Sequence, residues 1–148
     1  MTHLTHTALT AALLLPLSAA TAFAEGQPGG HFLENWDQNG DGTVTLAELQ
    51  EKRGDVFYTF DADDNGLLDA EEYAMFDAAR ANDMEGQGSH ARGQMKHLQE
   101  GMTLAFNDAD GDGMVSRDEF IAKAADWLAL IDRDGSADLS AADFGPKG

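Results

Sequence analysis

Asp37, Asn39 and Asp41 place three side-chain oxygens at alternate positions, and Glu48 closes the segment at its twelfth residue. Asp61, Asp63 and Asn65 lead in the same way to Glu72, and Asp108, Asp110 and Asp112 lead to Glu119. A glycine stands sixth in each segment: Gly42, Gly66 and Gly113. This is the pattern of a loop that surrounds a hard cation with oxygen. Calcium takes roughly six to eight oxygen ligands at tolerant geometry, and alternate positions of a tight loop supply them. In the first loop the expected donors are Asp37, Asn39, Asp41, the Thr43 carbonyl and both oxygens of Glu48, with Thr45 set to hold a water. In the second, the same places fall to Asp61, Asp63, Asn65, Leu67, Asp69 and Glu72. In the third they fall to Asp108, Asp110, Asp112, Met114, Ser116 and Glu119.

A fourth segment departs from the pattern. Asp132, Asp134 and Asp138 keep three acids, but Ser136 stands fifth, Ala137 replaces the glycine and Asp143 replaces the final Glu. The sharp turn needs positive φ, which costs an alanine on the order of 1 kcal/mol. The expectation is three strong calcium loops and a fourth that is weak or empty but still packs as a partner.

The loops also carry the instructions for the elements around them. Thr45, Asp69, Ser116 and Ser140 each precede an acid by three residues, which is the capping-box arrangement at a helix start. The position-twelve acid thus serves both an ion and a helix end. The eighth residue is always aliphatic (Val44, Leu68, Val115, Leu139), so short β pairing between loops is expected. Apolar residues before the loops fit incoming helices: Leu33 and Trp36, Phe57 and Phe60, Leu128 and Ile131. Asn107 breaks that rule before the third loop. Helices are expected over 70–82 and 94–106.

With these residues in place, the chain resembles the EF-hand family of calmodulin-like calcium proteins. The resemblance covers the four loops and their flanks, and it implies an all-α fold of four helix–loop–helix units with short β pairing between loops. The hands fall at about 31–82 and 94–146, with a Gly-rich linker at about 86–93. One spacing is unusual. About twelve residues separate Glu48 from Asp61, and Glu119 from Asp132, so one helix must serve two loops. From Ser116 to Ile131 there is no Gly or Pro, and such a helix would be roughly 24 Å long. Its loops then lie at opposite ends. If both shared helices run antiparallel, loop one meets loop four and loop two meets loop three. A kink at Gly54 would restore pairing of neighbours. The short spacing, with an export signal, is also similar to the lanmodulin-type periplasmic lanthanide binders. Their proline at loop position two is absent here, where Gln38, Ala62, Ala109 and Arg133 stand, and their acid at position nine appears only as Asp69.

The rest of the sequence bounds the reading. There are 27 acidic residues against 9 Lys and Arg, a formal net charge of −18. That balance opposes nucleic-acid binding and docking on anionic membranes, and suits a cation binder. With no cysteine, thiolate sites and disulfides are impossible. Ala8 to Leu17 is a short apolar core, and Ala22-Phe23-Ala24 offers a cleavage point, so residues 1–24 read as an export signal although no Lys or Arg precedes the core. The mature chain, 25–148, is expected in a bacterial periplasm or outside the cell, with Glu25 to Gly30 frayed. His31, His90 and His97 read as exposed polar residues rather than a transition-metal site. No catalytic motif occurs, so no enzyme is expected. Met75, Met84, Met95, Met102 and Met114 are either core filler or a groove for an unidentified protein partner. Three functions follow: a calcium buffer or calcium-stabilised protein, a calcium-dependent interaction module, and a carrier of lanthanide or another scarce metal.

Overall fold

The structure is a computed structural model that describes residues 27–85 and 95–145. The segments read as export signal and Gly-rich linker, 1–24 and 86–93, lie outside the described residues. The chain opens on helix α1 (Gly30–Trp36), then α2 (Leu46–Phe60), strand β1 (Leu67–Leu68) and α3 (Ala70–Glu85). The second half runs α4 (Lys96–Glu100), α5 (Leu104–Asn107), β2 (Val115–Ser116), α6 (Arg117–Ala122), α7 (Ala124–Ile131) and α8 (Ala141–Phe144). None of these helices is long and apolar enough to cross a membrane.

The caps act as their spacing requires. The Thr45 hydroxyl accepts from Glu48 N–H at 3.3 Å while the Glu48 carboxylate accepts from Thr45 N–H at 2.9 Å, which starts α2. Ser116 and Glu119 start α6 in the same way, and Ser140 and Asp143 start α8. Helix α2 runs without a break through Gly54 from loop one to loop two. Its glycine makes no kink and sits where α6 comes close: a Cβ there would lie 3.3 Å from the mobile end of Arg117 and at an ordinary 3.7 Å from Ile121.

Loops pair across the molecule. Leu68 faces Val115 and Leu67 faces Ser116 in an antiparallel two-stranded sheet joining loops two and three. Val44 and Leu139 exchange both backbone hydrogen bonds, at 2.7 and 2.9 Å, joining loops one and four. All four position-eight side chains are completely buried. They close the ends of a core whose middle holds Leu33, Leu49, Phe57, Phe120 and Trp127.

Three expectations need correction. The helix expected over 94–106 is two short helices, because Gly101 packs against the Trp127 indole where no Cβ fits, and Thr103 then caps α5. The second shared helix is interrupted at Lys123 between α6 and α7. Arg53 Nε donates to the Phe120 carbonyl at 2.6 Å, the group a regular helix reserves for Ala124 N–H. A side chain inserted into the ladder is an identifiable cause of a kink. The described part of the segment expected to fray, Gln27 to Gly30, is a docked turn. Gly29, at φ 74°, lies against Phe144 where a Cβ would collide, and Gly30 is buried.

Candidate metal centre

Each loop is a nest of backbone N–H groups folded around its own acids. In loop one, Asp37 accepts from Gly40 and Gly42 N–H at 2.7 and 2.9 Å. Asn39 accepts from Asp41 N–H at 2.8 Å, and Asp41 accepts from Thr43 N–H and Oγ1 at 2.9 and 2.8 Å. Glu48, buried, reaches back to Gln38 N–H with one oxygen and to Thr45 with the other. Loop two repeats this: Asp61 accepts from Asn65 and Gly66 N–H, Asn65 from Leu67 N–H, and Glu72 spans from Ala62 to Asp69. In loop three Asp108 accepts from Gly111 and Gly113 N–H, Asp112 from Met114 N–H, and Glu119 spans from Ala109 to Ser116.

Loop four adopts the same turn. Asp132 accepts from Gly135 and Ala137 N–H at 2.7 and 2.9 Å, and Asp134 accepts from Ser136 N–H at 3.0 Å. The shorter Asp143 still spans from Arg133 N–H to Ser140 N–H, both at 2.8 Å. Ser136 Oγ turns to the Asp138 carboxylate at 3.0 Å. Ala137 holds φ 68°, beside 93°, 80° and 86° at Gly42, Gly66 and Gly113. The scaffold therefore imposes the left-handed turn on a residue that resists it.

Three loops bring carboxylates together. Among the described residues, oxygens of Asp61, Asp63 and Glu72 lie within 4.8 Å of one another, as do those of Asp108, Asp110 and Asp112, and of Asp132, Asp134 and Asp143. Such all-oxygen donor sets fit a hard cation and offer nothing to a soft one. Hydrogen bonds favour the charged form of three loop acids. Thr43 N–H holds Asp41 below the usual carboxylate range, Ser116 N–H does the same for Glu119, and Ala137 N–H for Asp132. The remaining oxygen lone pairs of these three carboxylates can face an ion.

Among the described residues no metal-holding group includes a histidine. His31 pairs with Asp83 at 3.1 Å, His97 lies 3.6 Å from Glu100 on its own helix, and His90 is outside the described residues. Of the methionines, Met102 is buried, Met75 is 48% exposed and Met95 packs against the core.

One feature was not legible beforehand. Arg53 is fully buried and has no carboxylate beside it among the described residues. Its guanidinium donates to the Phe120 and Gly101 carbonyls and to Asn107 Oδ1, and lies 4.0 Å from the Phe120 ring centre. Burial brings its pKa down to about 10. The out-of-place Asn107 was the signal: its amide also donates to Tyr73 Oη, Gly101 O and Thr103 O.

The EF hand family model matches residues 33–51, 54–77 and 105–122, which hold loops one, two and three. These three matched segments support an EF-hand calcium-binding protein. No solved structure matches it.

Proposed function

We propose that the chain is an exported calcium-binding protein whose bundle is held in shape by ions at both ends, acting as a buffer or calcium-stabilised module. The observation that carries this is the shared arrangement of all four loops, with the first acid turned inward by backbone N–H groups and the twelfth spanning the loop. Calcium would be held by Asp37, Asn39, Asp41, the Thr43 carbonyl and Glu48 in loop one. Loop two would use Asp61, Asp63, Asn65, Leu67 O, Asp69 and Glu72, and loop three Asp108, Asp110, Asp112, Met114 O and Glu119. Loop four, the fourth hand expected from the sequence, would use Asp132, Asp134, Ser136, Asp138 and Asp143. Export rests on the apolar core and cleavage point within residues 1–24, and N-terminal sequencing of the secreted chain tests it.

A trivalent ion is the second reading. Three carboxylates gathered in each of three loops favour it, because every Coulomb attraction grows with ionic charge. Calorimetry on the chelator-stripped chain decides. Three or four calcium sites at micromolar to millimolar affinity support the first reading. Lanthanum that stays bound against a large calcium excess supports the second. Silence with both ions overturns the loop assignment.

A further inference from the structure

The calcium loops occupy the ends of the bundle. On its flank, α1, α2, α3, α4 and α7 surround a cleft of about 270 Å³, just below the usual range for ligand pockets. Half of its apolar lining is aromatic. Phe32 stacks on Trp36 with ring centres 5.5 Å apart, and Trp127 meets Trp36 edge-on at 4.9 Å. Phe76 and Met102 extend this lining.

The polar lining has the opposite sign to the molecule. The chain carries three times as many acids as Lys and Arg, yet Lys52 and Arg80 both line this cleft. Lys52 is half-buried and has no ion-pair or hydrogen-bond partner among the described residues. Arg80 lies 5.1 Å from the Phe76 ring centre and donates from one Nη to Gln99 at 2.9 Å, and its other Nη meets Asp77. Its Nε–H is buried and finds no acceptor among the described residues. Asp83 is the acid in the lining, and it is engaged by His31. Two cations on an apolar cleft of an acidic protein suit an anion, which makes charge-assisted hydrogen bonds with such groups.

We infer that the cleft binds a small amphiphilic carboxylate, its apolar chain against the two indoles and its carboxylate between Lys52 and Arg80. The match is one of charge and chemistry: indoles take an alkyl chain, and an arginine and a lysine lining one apolar cleft suit a carboxylate. The inference does not depend on the identity of the ion in the loops.

The test uses the full chain saturated with calcium and follows tryptophan emission, since both tryptophans line the cleft. Octanoate is expected to shift the emission saturably, with one site by calorimetry. 1-Octanol, of equal chain length and no charge, is expected to bind at least tenfold more weakly. Lys52→Met and Arg80→Leu are each expected to weaken octanoate at least fivefold and leave 1-octanol unchanged, and Lys52→Arg is expected to restore it. Unaltered calcium stoichiometry in each variant shows that it folds. Equal binding of octanoate and octanol, indifference to the Lys52 variants, or no saturable shift overturns the inference. Octanoate drawn to calcium in the loops falls under the second of these outcomes, because it would not respond to Lys52.

Discussion

Ala137 sits at φ 68° with nothing in the loop that demands a side chain there. Ala137→Gly is expected to stabilise the calcium-free chain by about 1 kcal/mol in urea unfolding and to tighten the weakest site in a calcium titration. Tyr73 shows the opposite kind of constraint. It is buried, donates to the Met102 carbonyl at 2.9 Å and accepts from Asn107, and burial raises its pKa to about 12. The neutral phenol is therefore the form the fold favours. Its contribution is complete below pH 10 and is lost as pH rises through about 12. In a Tyr58→Phe chain, where Tyr73 is the sole phenol, phenolate absorbance should appear near pH 12 while the chain is folded and near pH 10 in denaturant. At this scale the acidic loops and their turns were legible, because the twelve-residue pattern fixes both residue type and spacing. Tyr73 and Arg53 were not, because a polar group is buried by partners distant in sequence.

Helices α2 and α6 are fastened at their crossing by one side chain. Arg53 reaches from the middle of α2 to the Phe120 carbonyl on α6, the Gly101 carbonyl after α4 and Asn107 at the end of α5. Removing one partner of a buried charge strands the other, so Asn107→Leu is expected to cost about 3 kcal/mol in equilibrium unfolding. The double variant Arg53→Met with Asn107→Leu is expected to recover most of that, since the stranded guanidinium is then gone, and the non-additivity reads the coupling directly. The same guanidinium explains what the sequence could not show about elements. The stretch 116–131 has no helix breaker of its own, and its interruption at Lys123 comes from a residue on another helix. Conversely, Gly54 looked like a place for α2 to kink, and is instead where Arg117 and Ile121 come close. The cross-pairing of loops was one of two pairings the sequence left open: the short gap after Glu48 and after Glu119 favoured it, and only the unkinked course of α2 through Gly54 decides for it.

Over the whole molecule, charge dominates. At a formal −18, the ion-free chain repels itself, and each calcium ion removes two charges at the places where acids are densest. Calcium at a hundredfold excess over its dissociation constant is expected to add about 2.7 kcal/mol per occupied site, read as a rise in melting temperature that a chelator reverses. Sodium chloride is expected to stabilise the stripped chain more than the loaded one, because screening has more repulsion to relieve there. The pairing of loop one with loop four, and of loop two with loop three, has a consequence for how the chain can be divided. Each half of the sequence, 27–85 or 95–145, contributes one strand of each bridge and finishes neither. The halves are complements, like the two sides of a zip. Two separately made halves should assemble on mixing into one calcium-loaded unit, and two intact chains held at high concentration should be able to trade halves and emerge as an intertwined dimer with every loop properly matched.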